Sequence, residues 1–236
     1  KTGGGGAVGF SELHRSKPDG YTISNVVVPN VILSSKGDGV GYKPGDFEYI
    51  GMTESAVGAL MVPKDSPYKS LDAFIAAAKE KPGMLTVAGV GGTGADRWGA
   101  LADILGIETT YVPVSGGVGK MMPMLAGSHV DAGMTASNHA TKHSSIVDAL
   151  VVAGTQEVGT LKGVPFEPEW SYVTTWGIMA PPGTPADIIA TLNAALNEAA
   201  SDPSVADTLG KAGYNTIIQT VDEVNAFMDE QIKAYE

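Results

Sequence analysis

The chain has 236 residues, 43 % of them hydrophobic, enough for a sizeable core in one large or two small domains. Its net charge of −11, from 26 acids against 15 lysines and arginines, opposes binding to a nucleic-acid backbone. Cysteine is absent, which excludes disulfides, thiolate chemistry and cysteine-ligated metals, and no apolar run reaches the roughly 18 residues of a membrane span.

The chain opens on Lys1-Thr2-Gly3-Gly4-Gly5-Gly6, a glycine-rich loop, before a short helix over 7–15. Pro18-Asp19-Gly20 is a turn signal. The β-branched run 21–28 predicts a buried strand that ends at Pro29-Asn30. Residues 47–51 and 56–62 read as two further short strands. Ser70 caps a predicted helix over 71–81, with Leu71, Phe74, Ile75 and Ala78 on its apolar face and Pro82-Gly83 as its stop.

A strand over 85–88 then enters Gly89-Val90-Gly91-Gly92-Thr93-Gly94-Ala95-Asp96, and a helix over 96–105 leaves it. A strand over 107–112, the loop Ser115-Gly116-Gly117 and a helix over 118–126 follow. Strands are expected at 130–134, 149–153, 172–179 and 215–219, with a short helix near 138–144. Thr184 is expected to cap a helix with Pro185 at its first position and Asp187 at its third, running to residue 200. Helices over 203–212 and 221–234, the latter capped by Thr220, complete the pattern. The alternation of strand and helix predicts a parallel sheet with right-handed crossovers.

The loop from Gly89 to Asp96 carries most of the functional signal. Its glycines at 89, 91 and 94 have the spacing of a dinucleotide fingerprint. That reading needs an acid at the end of the next strand, and Glu108 stands at the start of it. A Walker loop is excluded, because no lysine follows the last glycine. A carboxylate cradle fits: backbone N–H groups from Gly91 to Ala95 converge at a helix start, and Thr93 adds a hydroxyl. A tight turn without a ligand also stays open. Ser115-Gly116-Gly117 can present a second set of donors, or serve as a plain connection.

Met121, Met122 and Met124 suit helical core packing better than a ligand wall. His139 and His143, four apart, are too few for a metal site, and no nucleophile and base share an elbow motif. Trp176, before Gly177, suits either a core or a ligand-lining position.

Taken in order, several segments resemble one family. They are Pro18-Asp19-Gly20-Tyr21-Thr22, Ala88-Gly89 through Thr93-Gly94, Val112-Pro113, Leu125-Ala126-Gly127-Ser128-His129-Val130, and Trp176-Gly177 with Ala180-Pro181-Pro182-Gly183-Thr184-Pro185. The set is similar to the periplasmic solute-binding proteins of tripartite tricarboxylate transporters, the Bug or TctC-like family.

The resemblance implies an α/β, periplasmic-binding-protein-like fold, with two α/β domains flanking a ligand cleft. Residues 1–84 with 177–236 would form the first domain and 85–176 the second. The family's first strand and helix, with its Pro-Gly-Gly anion loop, would lie before Lys1. The function implied is capture of a small organic acid, a di- or tricarboxylate, in the periplasm and delivery to membrane permease subunits. Such a protein would be a monomer without catalysis, cofactor or metal.

Val28, Pro29 and Asn30 fall on the family's post-strand loop, and Gly91, Gly92 and Thr93 on the loop that donates to the distal carboxylate. Where the family often has Tyr-Lys-Gly this chain has Val114-Ser115-Gly116, which places the small Ser115 in the site. Asn138 falls near an acid or amide that faces the ligand, and Trp176 with Gly177 on the segment returning to the first domain. Neutral N–H groups and hydroxyls would hold the ligand's charged ends. The rival readings are a nucleotide-dependent oxidoreductase using Gly89 to Gly94, and a ligand-sensing interaction protein on the same fold.

Overall fold

A computed structural model describes residues 4–235; beyond the backbone, positions 4 and 91–93 lie outside the described set. In chain order the elements are α1 (Ala7–His14), β1 (Ser24–Val28), α2 (Asn30–Ser34), β2 (Glu48–Pro63), α3 (Leu71–Glu80), β3 (Thr86–Val90), α4 (Gly91–Leu105), β4 (Thr110–Val114) and α5 (Val118–Ala126). They continue as β5 (Ala132–Ala136), α6 (Asn138–Lys142), β6 (Val147–Ala153), β7 (Phe166–Glu167), β8 (Val173–Ala180), α7 (Ala186–Ala200), α8 (Pro203–Lys211), β9 (Asn215–Thr216) and α9 (Val221–Ala234). The chain divides into two compact units, Lys1–Ser55 with Thr174–Glu236, and Ala56–Val173.

In the first unit β1 pairs antiparallel with β8, Ser24 opposite Met179 and Val28 opposite Thr175. β8 neighbours β2, and β9 adds to β2 through Glu54 and Ser55. One core joins Phe10, Leu13, Val26, Val28, Phe47, Met52 and Met179 to Val224 and Met228 of α9. A smaller one joins Ile50 and Ala180 to Ile189 of α7. Asn193 anchors α7 by donating from Nδ2 to the carbonyls of Ile50 at 2.7 Å and Gln219 at 3.0 Å. At the start of α9 the Thr220 hydroxyl accepts from the Glu223 N–H, and the Glu223 carboxylate accepts from the Thr220 N–H, a reciprocal cap.

In the second unit the strand order is β2-β5-β3-β4. β3 runs parallel to both β4 and β5, while β2 runs antiparallel to β5 and β6. One face of this sheet packs on α3 and α4 through Leu60, Val62, Phe74, Val87, Trp98 and Leu101. The other packs on α5 through Ala59, Met61, Ala88, Met121, Met122 and Leu125. Burial of residues on both faces produces the near-continuous apolar run at 59–62. Residues 56–84, expected in the first domain, thus contribute Leu60, Val62, Phe74 and Ala78 to the second unit's core.

Several local expectations are corrected. The sheet is mixed rather than parallel. The two short strands at 47–51 and 56–62 are one strand, β2, of 16 residues. Gly51, expected to end the first of these strands, and Gly58, expected inside the second, both sit within β2 with a neighbour over the Cα. A Cβ at 51 would lie 2.7 Å from Leu196 Cδ2, and one at 58 would lie 2.3 Å from Tyr172 Cδ1. Pro185 itself is the cap of α7, with no side-chain bond, and the Thr184 hydroxyl donates instead to the Pro181 carbonyl at 2.9 Å. The final strand keeps only 215–216, and α2 and β7 are additional elements.

Candidate functional site

The second unit gathers its helix starts at one sheet edge. β4, β3 and β5 run the same way, and each leads within a few residues into a helix: α5, α4 and α6. Val90 pairs with Val114 and Gly89 with Met134, so the positions following all three strands are nearly level. That carboxyl edge is where open α/β sheets take ligands. It brings together Gly91, Gly92, Thr93, Ser115 and Asn138.

The helix begins at Gly91, five residues earlier than its expected start at Asp96. Val90 caps it without a side-chain hydrogen bond. The glycine stretch is therefore the first helical turn rather than a loop. The first four N–H groups of a helix have no intrahelical acceptor and carry the positive end of the dipole. Gly117 caps α5 at φ 78°, a left-handed value that glycine accepts without a Cβ penalty, and Ser115 before it is exposed. Asn138, first in α6, is 2 % exposed.

Two of the fingerprint glycines have a packing cause. A Cβ at Gly89 would lie 2.5 Å from the Tyr111 hydroxyl oxygen, and one at Gly94 would lie 2.1 Å from it. Tyr111, on β4, fills the space beside the β3–α4 junction. Burial, then Tyr172 and Asp96, push its phenol up to about 12. Glu108 precedes β4, and its carbonyl accepts from the Gly83 N–H at the opposite edge. The acid that a ribose would need is at the wrong end of the strand.

Three further residues at this edge carried no sequence signal. The Arg97 guanidinium lies over the Tyr172 ring, 4.1 Å from its centroid. Its Nη2 is buried and has no hydrogen-bond partner among the described residues. Tyr172 in turn covers Gly58, the partner of Ala136 at the end of β5. Ser137 follows, 1 % exposed, with its hydroxyl unpartnered among the described residues. Its N–H donates to Val57 at 2.7 Å. By spacing alone Arg97 reads as a surface helix charge and Ser137 as a turn residue.

His139 and His143 stack at 6.4 Å between ring centroids. Burial, then His143 and Lys142, push the His139 imidazole down to about 4. Met121 and Met122 are core residues, and Met124 packs on the same cluster.

The first unit places the remaining predicted residues on β1 and β8. Val28 ends β1 and is buried, Pro29 follows through a cis peptide, and Asn30 opens α2 half-buried. Trp176 pairs with Val27 and Gly177 with Val26, which puts them two and three positions from Pro29 across the pair. Trp176 is half-buried, edge-on to Tyr214 at 5.4 Å. Gly177 is a close-approach glycine: its Cβ would meet the Gly51 carbonyl at 2.3 Å, and its own carbonyl accepts from Asn25 Nδ2 at 3.1 Å.

This architecture defines an α/β unit with helix starts collected at the carboxyl edge of its sheet. The model of the tripartite tricarboxylate transporter family receptor, TctC, matches residues 1–236, and the chain belongs to that family. Its members are periplasmic solute-binding receptors. The chain is 27 % identical over 253 residues to BugT of Bordetella pertussis, covering 100 % of this chain and 76 % of the relative. Its fold matches R. palustris Rpa4515, solved with adipate, at a TM-score of 0.90, with 21 % identity over 100 % of this chain and 82 % of the other. It matches MatC from Rhodopseudomonas palustris, solved with bound malate, at 0.84, with 23 % identity over 99 % of this chain and 84 % of the other. Among the described residues no helix is long and apolar enough to cross a membrane.

Proposed function

We propose that this receptor captures a small organic acid with two or three carboxylates in the periplasm and hands it to the permease subunits of a tripartite transporter. It acts as a monomer and catalyses no reaction. The observation that carries this reading is the level carboxyl edge of β4, β3 and β5, where α4 and α5 begin without a side-chain cap, since the first N–H groups of a helix lack acceptors from a preceding turn. Family membership, and relatives solved with adipate and malate, support the same ligand class. Gly91, Gly92, Thr93, Ser115 and Asn138 are the contacts proposed on the second unit. Val28, Pro29, Asn30, Trp176 and Gly177 are those proposed on the first.

A chain of net charge −11 repels anions at long range. That field is screened beyond about 8–10 Å of salt solution, whereas oriented N–H dipoles act at contact. Neutral donors also permit release to a permease. A thermal-shift screen of malate, adipate, citrate, hexanoate, NAD and ADP tests the proposal. Di- or tricarboxylates are expected to raise the melting temperature and nucleotides to leave it unchanged. Stabilisation by nucleotides alone would overturn it.

A further inference from the structure

We infer that Arg97, resting on Tyr172 at the carboxyl edge of the second unit, is an anion subsite that takes one carboxylate end of the ligand. The inference deepens the receptor reading above and rests on it. Arg97 is one of only two arginines in the chain. Tyr172 fixes the plane of its guanidinium from one side, 4.1 Å away. Among the described residues it makes no ion pair, and its buried Nη2 has no acceptor. A buried, permanently charged donor without an acceptor is costly, and such groups are ordinarily paired. A carboxylate supplies the missing acceptor, and the planar fork matches its two oxygens.

A second observation falls on the same edge. The Ser137 hydroxyl is buried and also lacks a partner among the described residues. It is joined to the arginine through short steps: Arg97 to the Tyr172 ring, the ring to Gly58, Gly58 to Ala136 across the β2–β5 pair, and Ala136 to Ser137. Arg97 Nη2 and the Ser137 hydroxyl, both without a partner among the described residues, are thus joined to the end of β5. Arg97 is on the second turn of α4, and helical side chains lean toward the amino end.

This assignment changes the chemistry expected of the site. Dipoles and hydroxyls alone would discriminate weakly between acids and neutral polar solutes of similar shape. A fixed guanidinium makes an ionised carboxylate obligatory at one end. Its stack on Tyr172 holds the fork in place before the ligand arrives, which lowers the ordering cost on binding.

The test is calorimetric titration of the wild-type chain, Arg97→Gln, Arg97→Lys and Ser137→Ala with malate, adipate, citrate and hexanoate. Arg97→Gln is expected to weaken the best acid by about tenfold to a hundredfold, the worth of a charge-assisted contact. Arg97→Lys keeps the charge but loses the fork and should recover only part. Ser137→Ala should cost a few-fold at most. If the wild type binds an acid and Arg97→Gln binds it equally well, this subsite is wrong while the receptor reading stands. If Arg97→Gln does not fold, Arg97→Lys decides: unchanged affinity overturns the subsite and a loss supports it. If the wild type binds none of the acids, both readings fall.

Discussion

Replacing Gly94 by alanine sets two effects of known sign against each other. Alanine is the better helix former by about 1 kcal/mol, and Gly94 lies in the first turns of α4. Its new Cβ would stand 2.1 Å from the Tyr111 hydroxyl oxygen, a distance no contact tolerates, and 3.3 Å from the next atoms, Tyr111 Cζ and the Gly89 carbonyl carbon. Forcing a methyl into such a site costs about 1–3 kcal/mol. Gly94→Ala alone should therefore be neutral to about 2 kcal/mol destabilising. Tyr111→Phe deletes the offending atom. In that background the same alanine should be harmless, or stabilising by up to about 1 kcal/mol. Urea unfolding of the four proteins, followed by circular dichroism, gives the coupling, expected at about 1–3 kcal/mol. Additivity within about 0.5 kcal/mol would refute the claim that Tyr111 is why position 94 is glycine.

The remaining predictions concern stability and pH. His139 should titrate near 4, followed by proton NMR; a midpoint near 6.5 would show that the fold does not desolvate the imidazole. Because its folded pKa lies below the unfolded value, the unfolded chain binds more protons between about 4 and 6.5. Its stability contribution is thus complete above about 6.5 and lost as pH falls toward 4. After allowing for the ring's partial exposure, the loss is about 1–2 kcal/mol, measurable by comparing wild type with His139→Gln in urea across that range. Asp131→Ala removes the carboxylate that accepts from the Thr86 N–H at 2.8 Å and hydroxyl at 2.7 Å, tying β3 to β5 at their amino ends. We expect about 1–3 kcal/mol of destabilisation with acid affinity unchanged, since this is the edge opposite Gly91. A loss of affinity in the folded variant would contradict the placement of the site.

Much of the element order was legible because it rests on local chemistry. Ser70 accepts from the Ala73 N–H and starts α3, and Thr220 with Glu223 starts α9, each from a cap readable within four residues. The apolar faces of α3 and α5 follow the same local logic, as Phe74, Ala78, Met121 and Leu125 confirm by their burial. The glycine-rich stretch after β3 was visible as a possible anion-receptive helix start, and the ordered motifs pointed to the family.

What the sequence could not show depends on neighbours distant along the chain. Gly51 is expected to end a short strand, yet it lies inside β2, and Leu196, Tyr172 and Met52 occupy the space a side chain would need at Gly51, Gly58 and Gly177. Gly89 and Gly94 imitate a nucleotide fingerprint, and only the parallel β3–β4 register reveals Tyr111 as their cause. Arg97 and Ser137 are unremarkable where they stand in sequence. They become candidate ligand contacts only when folding buries their donors beside Tyr172 and the end of β5 with no acceptor among the described residues. Local propensity and capping act over a few residues and can be read from composition. Burial, register and unmet hydrogen bonds are properties of the assembled fold, and the candidate site is made of these.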